Sequence, residues 1–365
     1  MKKRKKRHFD EPLPEGDEWV EFGGELIFAV GFTSGGAPYG INLKEFRRSN
    51  EEWERKAGWA QAKRVLRGVL GLTGLDDSNE ADIDYLRFLA SGLSYKVYST
   101  ACWHPELWGG SEKRVVVRLP QQDAPSGQAE SALREIKLLA HLSSLDLPVR
   151  VPEVLGGMAV GRGVAVVQEL LDGDPLDFRT GRAPWQTVAE VASICHGIDP
   201  QPLEKILRFH PTRRAHALSA LGILDGLDSP AAAEARDWAA GHLPSSDPAR
   251  LIHGDLLGQN LLLGLEGESI GILDWGEARI GDPAYDLAIV TRGVRKPFGT
   301  SNGLNKLLQG YNARSEIQLR ASDVQLYELC LLAGYCEAAD REYGRGSSHA
   351  KNQENMLASF IRRVK

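Results

Sequence analysis

Apolar and polar positions change their period along this chain, and the changes divide it. Residues 1 to about 16 show no period and read as a solvated terminus. EWVEF and ELIFAVGF are two strand-like runs around Gly23 and Gly24, the pattern of a hairpin. TSGGAPYG, residues 33–40, reads as a turn-rich loop. Ser49-Asn50 followed by Glu51-Glu52 is a helix start with acids in its first turn. That helix runs through Trp53, Ala57, Ala60 and Val65 to about Leu70.

From about residue 83 the period shortens. YLRFLASGLSYKVYSTACW reads as strand, glycine turn, strand, and RVVVRLP as a third strand ended by proline. SGQAESALREIKLLAHL is an amphipathic helix with Leu133, Ile136 and Ala140 on one face. VPEVLGGMAVGRGVAVVQELL adds two strands around glycine turns. Beyond LDGDPL the pattern is mostly helical, interrupted at 251–282. The expectation is an α+β chain of two lobes. Residues 1–82 form an N-terminal extension, 83–171 a five-stranded antiparallel sheet lobe with one helix after its third strand, and 172–365 a mainly helical lobe. A cleft between two lobes is a usual ligand site. The extension carries no functional signal beyond packing or oligomer contact.

Composition narrows the class. Hydrophobic residues make up 42% of the 365 and charged residues 25%, ordinary for a soluble globular protein. MKKRKKRHFDE lacks the apolar stretch of a secretory signal, and no run approaches the ~18 apolar residues of a membrane span. The four cysteines, Cys102, Cys195, Cys330 and Cys336, have no CxxC spacing; they read as reduced, buried residues of a cytoplasmic protein, with no structural zinc site. The net charge is −5, and the first seven residues hold six basic side chains, so the rest stands near −11. An acidic body argues against broad nucleic-acid binding and favours a cationic substrate. The basic run reads as a solvated terminus rather than a nucleic-acid arm.

The chemistry concentrates in LIHGDLLGQNLLLGLEGESIGILDWGEARIGDPAYDLA, residues 251–288. Two apolar strands, NLLLG and SIGILDW, flank a loop. Paired as a hairpin, they bring Asn260 at the start of one to Asp274 at the end of the other, with Asp255 over the same point. One carboxylate is then placed to accept a proton, while a carboxylate and an amide oxygen converge on a hard cation. Oxygen donors of this kind suit Mg²⁺. Phosphoryl transfer needs this set.

HGD with Asn at +5 from the aspartate, then a strand and Asp-Trp-Gly, resembles the aminoglycoside phosphotransferase family, a branch of the kinase-like fold that includes choline kinase relatives. ILDWGEARIGDPAYDLA looks especially like the macrolide-phosphotransferase branch. The resemblance covers roughly residues 85–345. It implies an ATP- or GTP-dependent kinase acting on a hydroxylated small molecule, with Asp255 as base and Asn260 and Asp274 as Mg²⁺ ligands. His253 then matches a structural hydrogen-bonder. Asp282, expected to cap a helix before Pro283, and Asp286, expected to brace the catalytic loop, support the site from behind. At the nucleotide end, Gly92 and Ser94 match the family's glycine turn. Arg118 stands where the family usually places a lysine, with Glu135 as its helix partner and Glu130 as the alternative; Lys113 and Lys96 read as solvated. Backbone groups around Glu169 and Leu171 match the adenine-binding hinge. A second class of function stays open: a nucleotide-binding pseudokinase acting as a regulatory module, motivated by the extension and by Arg118.

Overall fold

The computed structural model describes residues 57–71, 86–92, 94–103, 112–264 and 269–365, together with the strand backbones at 19–22, 25–32 and 38–42. The first strands are β1 (Trp19–Phe22) and β2 (Glu25–Phe32), an antiparallel hairpin as expected. The loop expected at 33–40 is shorter. β3 (Pro38–Asn42) pairs with the other edge of β2, with Pro38 at its first position, where a missing N–H is tolerated. The expected helix start at 49–56 lies outside the described residues, and the helix itself is present as α1 (Ala57–Val69).

The next sheet has the order β4-β5-β6-β8-β7, antiparallel throughout. Its strands are β4 (Arg87–Ser91), β5 (Tyr95–Trp103), β6 (Glu112–Pro120), β7 (Val154–Val160) and β8 (Gly163–Glu169), with α2 (Gln128–Leu142) inserted after β6. Strand side chains alternate between faces, and here each face has its own helix. Val115, Val117 and Leu119 of β6 pack with Tyr98, Ala165 and Val167 against Ala62, Val65, Leu66 and Leu70 of the α1 segment. Val164 and Val166 of β8 pack on the opposite face against Ala132, Ala129 and Ile136 of α2. Thus α1, on the extension side of the boundary expected at residue 82, shares a core with the sheet.

The buried stripe of α2 differs from the expected one. Leu133 and Ala140 are exposed, whereas Ala132, Glu135, Leu138, Leu139 and Leu142 are buried. A hydrophobicity reading rotates the helix because it counts Glu135 as a surface residue. In the fold that carboxylate turns inward to a partner on β6.

The second lobe runs β9 (Asp174–Pro175), α3 (Pro184–Gly197), β10 (Arg208–Phe209), α4 (Arg213–Leu221), α5 (Pro230–Ala240), β11 (Arg250–Ile252), β12 (Leu261–Leu263), β13 (Ile270–Ile272), β14 (Arg279–Gly281), α6 (Ala284–Thr291), α7 (Gly303–Asn312), α8 (Ala321–Tyr343) and α9 (Ser348–Val364). Two small sheets, β13-β12-β9 and β10-β14-β11, carry the motif segment. Val188 of α3, Leu287 of α6, Tyr311 of α7, Leu329 of α8 and Leu357 of α9 share one core with Leu251 and Leu261 beneath those sheets. Among the described residues no helix is long and apolar enough to cross a membrane.

Leu66 is fully buried between α1 and the sheet. Leu66→Ala should lower the unfolding free energy by about 2–5 kcal/mol in urea denaturation, the cost of a core cavity.

Candidate active site

β12 and β13 pair antiparallel with Leu261 opposite Ile272. The pairing continues one residue further, where Leu273 N–H donates to Asn260 O at 2.8 Å. Asn260 and Asp274 therefore meet at one end of the hairpin. Asn260 closes a short helical turn, Gly258–Asn260, and its Nδ2 reaches back to Asp255, donating to the backbone O at 2.8 Å and to Oδ2 at 3.0 Å. With Nδ2 so engaged, Oδ1 is left as the acceptor end of the amide. Burial above all, and then the Asp274 carboxylate, raise the pKa of Asp255; His253, the Asn260 hydrogen bond and Arg292 act in the opposite direction.

Asp274 has φ 59° and ψ 66°, the left-handed region that aspartate tolerates better than most residues. This conformation ends β13 and starts the turn Trp275–Glu277. Its side chain is 56% exposed, with Arg118 Nη2 3.9 Å away. Among the described residues no three His, Cys, Asp or Glu side chains cluster to hold a metal on their own. An exposed carboxylate and an amide oxygen, carried by residues at one hairpin end, are donor types that suit a hard cation bringing further oxygens with it.

The loop between β11 and this turn hangs from one buried carboxylate. Asp286 Oδ2 accepts from His253 N–H and its Oδ1 from Gly254 N–H, both at 2.8 Å. His196 Nε2 lies 3.1 Å from Oδ2, and His196 Nδ1 is 2.9 Å from the Tyr311 hydroxyl. Burial acts to raise the Asp286 pKa, yet the His196 hydrogen bond and the neighbouring histidines and backbone donor hold it below its ordinary value. His253 Nε2 faces Leu273 O at 2.9 Å, and its Nδ1 accepts from Asp255 N–H at 3.2 Å. Those partners place an N–H on Nε2 and a lone pair on Nδ1, so both nitrogens are occupied in holding the loop. Gly254 has φ +83°, and a Cβ there would lie 2.2 Å from Glu277 O. Only glycine fits that position.

Asp282 sits at a second buried node. Its Oδ1 accepts from Ala284 N–H at 3.1 Å at the start of α6, with Pro283 between, and from Arg213 Nε at 2.8 Å. Burial opposes the charge on Arg213, but Asp282 and Asp323 outweigh it and raise its pKa. Burial lowers the His216 pKa to about 3, so the neutral ring accepts from Asp282 N–H through Nδ1 at 2.9 Å. His196, Arg213, His216, Tyr311 and Asp323 escaped the sequence reading. They lie on helices far from the motif in sequence, and each resembles an ordinary helix residue there.

In the sheet lobe, Arg118 Nη1 donates to Glu135 Oε1 at 2.7 Å, with side-chain exposures of 11% and 2%. Glu130 instead faces Arg134 near the surface. Lys113 pairs with Glu153 at 3.0 Å. Gly92 is exposed, its N–H donating to Tyr95 O at 2.8 Å, and nothing within 4 Å would meet a Cβ there. Ser94 O accepts from Gln121 N–H at 2.9 Å. Glu169 N–H donates to Glu153 O and Leu170 N–H to Arg114 O, while Leu171 is buried.

No curated protein matches the chain. Solved structures are similar to it across most of its length. The macrolide 2'-phosphotransferase MphH from Brachybacterium faecium is 22% identical, with a TM-score of 0.55, over 80% of this chain and 96% of that one. A GDP complex of an aminoglycoside 2'-phosphotransferase is 18% identical, with a TM-score of 0.56, over 78% and 93%. An ethanolamine kinase from Plasmodium vivax is 13% identical, with a TM-score of 0.50, over 80% and 84%. At these identities the likeness shows a shared kinase-like fold. The model of the phosphotransferase enzyme family matches residues 103–321, more than half of the 365, and the chain therefore belongs to that family.

Proposed function

We propose that this chain is a small-molecule kinase that transfers the γ-phosphoryl group of ATP or GTP to a hydroxyl of its substrate, with Asp255 as the base. The observation that carries this reading is the junction at the end of the β12–β13 hairpin. There Asn260 is hydrogen-bonded to Asp255 and shares the hairpin end with Asp274. Asn260 holds the Asp255 carboxylate by one oxygen. Asp255 would use the other to accept or orient the proton of the acceptor hydroxyl. Asn260 Oδ1 and Asp274 would hold Mg²⁺, which supplies charge neutralisation for the phosphates. Asp286 and His253 fix the loop so that Asp255 needs little reorganisation.

We assign the β4–β8 sheet lobe, with α1 against it, to the nucleotide and the helical lobe to catalysis and the acceptor. Gly92 and Ser94 would lie over the phosphates, Arg118 with Glu135 would face them, and the backbone near Glu169 and Leu171 would meet the base. Of the hinge amides, those of Glu169 and Leu170 are already engaged by protein carbonyls, which directs recognition to the remaining backbone groups. The four cysteines are free and buried, which fits a reducing cytoplasm. The acidic composition suits a cationic acceptor. A pseudokinase reading has against it that base, amide and carboxylate are all present and arranged together.

Purified protein incubated with γ-labelled ATP or GTP, Mg²⁺ and a panel of hydroxylated amines, sugars and macrolides should label an acceptor. Asp255→Ala should lower kcat by about 10²–10⁴-fold, the usual worth of a general base, with nucleotide affinity kept. Unchanged turnover in that variant would remove Asp255 from the mechanism. Chelation by EDTA should abolish transfer, and Mg²⁺ should restore it. In Asp274→Ala, Mg²⁺ should no longer tighten nucleotide binding measured by calorimetry.

A further inference from the structure

The strand register puts an aromatic ring against the guanidinium that stands in for the usual lysine. Arg118 lies opposite Val97 across the β5–β6 pair, so Tyr95, two residues before Val97, is its diagonal neighbour on the same face of the sheet. On the other side Gln168 is diagonal to Arg118 across the β6–β8 pair. This is the face that α2 covers, and Tyr95 packs in that cluster. The Arg118 Cζ lies 4.3 Å from the Tyr95 ring centroid, Nη1 donates to Glu135 at 2.7 Å, Gln168 Oε1 is 3.5 Å from Nη1, and Nη2 is 3.9 Å from Asp274 Oδ1.

We infer that Tyr95 is a positioning residue for Arg118, and that the two act as one unit in nucleotide binding. The inference rests on the nucleotide assignment given above. A guanidinium has two flat faces and two donor edges, and here each constraint falls on a different part. The Tyr95 ring lies against the guanidinium carbon, which is 4.3 Å from the ring centroid, while Glu135 holds the Nη1 edge. The Nη2 edge is thereby turned toward Asp274, the side on which phosphate would bind. An ammonium has no flat face to stack and no second edge to aim, so this arrangement belongs to arginine. The ring does more than fill space. Its π face attracts the cation, and the attraction gains strength where water is excluded. Glu135 and Gln168 both accept from Nη1, and alone they would leave Arg118 free to swing about that nitrogen.

The test is a double-mutant cycle read by nucleotide affinity. ADP and GDP are titrated by calorimetry, without added acceptor, into wild type, Tyr95→Leu, Arg118→Ala and the double variant, and thermal melts confirm that each is folded. Tyr95→Leu should weaken the preferred nucleotide about 5- to 20-fold, consistent with a largely desolvated cation–π contact. In the Arg118→Ala background the same change should weaken it less than about 2-fold. Tyr95→Phe, which keeps the ring, should recover most of the affinity lost in Tyr95→Leu. Tyr95→Met replaces Tyr95→Leu if the latter does not fold. Equal losses in both backgrounds would overturn the inference, because Tyr95 would then act independently of Arg118. A Tyr95→Phe loss as large as that of Tyr95→Leu would also overturn it, by moving the effect to the hydroxyl. Absence of binding of either nucleotide to the wild type would instead sink the kinase reading and this inference with it.

Discussion

The loop that carries Asp255 depends on one fully buried carboxylate. Asp286 receives two consecutive backbone N–H groups, those of His253 and Gly254, immediately before Asp255. Taking a carboxylate out of water is costly unless donors replace the lost hydration. Here the two amides and His196 do so, and His196 is in turn fixed by Tyr311. Loop, helix α6, helix α3 and helix α7 are thus joined at one anion. The Asp286 pKa lies below its unfolded value, so its contribution to stability is present at neutral pH. That contribution is lost as the pH falls through the depressed folded value. The same pairing explains Gly254. Two adjacent amides can point to one carboxylate only if the chain bends sharply there, and Glu277 O leaves no room for a side chain.

A second constraint acts from the other side of the site. α2 presents Ser131 and Glu135, one helical turn apart, to the end of the motif hairpin. Ser131 Oγ donates to Gly276 O at 3.0 Å, and Glu135 holds Arg118, whose far edge approaches Asp274. The left-handed backbone of Asp274 makes this possible, because it turns the chain out of β13 toward the helix. A residue in that region carries strain of roughly 1–3 kcal/mol unless its surroundings hold it. The contacts from α2 are such surroundings. Both lobes therefore have a direct mechanical interest in where Asp274 lies.

The sequence made some of this legible for physical reasons. The β12–β13 hairpin has a clear apolar pattern, so the meeting of Asn260 and Asp274 follows from pairing alone. The number of strands in the antiparallel sheet and the place of its helix follow from alternation and glycine turns, whereas the order β4-β5-β6-β8-β7 does not. The misreadings have a common cause. The face of α2 was rotated because Glu135 is buried, and burial of a charge depends on a partner that no local pattern announces. Arg213 and His196 were invisible for the same reason: each is defined by a contact across 69 or 90 residues of sequence. Glycines and a proline give residues 33–40 a loop pattern, while pairing with β2 carries the end of that stretch into a strand.

The packing of α1 changes how the first part of the chain is understood. The valines and leucine of β6 that face away from α2 would form an exposed apolar surface if the sheet stood alone. Ala62, Val65 and Leu66 cover that surface, and Trp59 Nε1 donates to Leu86 O at 2.8 Å where β4 begins. A sheet that is apolar on one face needs a cover there, whereas the other face carries Arg118, Gln168 and Tyr95 beside its valines. The two faces of β6 therefore differ for a reason. One is built for packing and calls for a helix; the other must keep a charge, and it does so by surrounding that charge with a carboxylate, an amide and an aromatic ring. α1 consequently belongs to the physics of the sheet lobe, because a sheet held rigid from behind can hold Arg118 in one place in front.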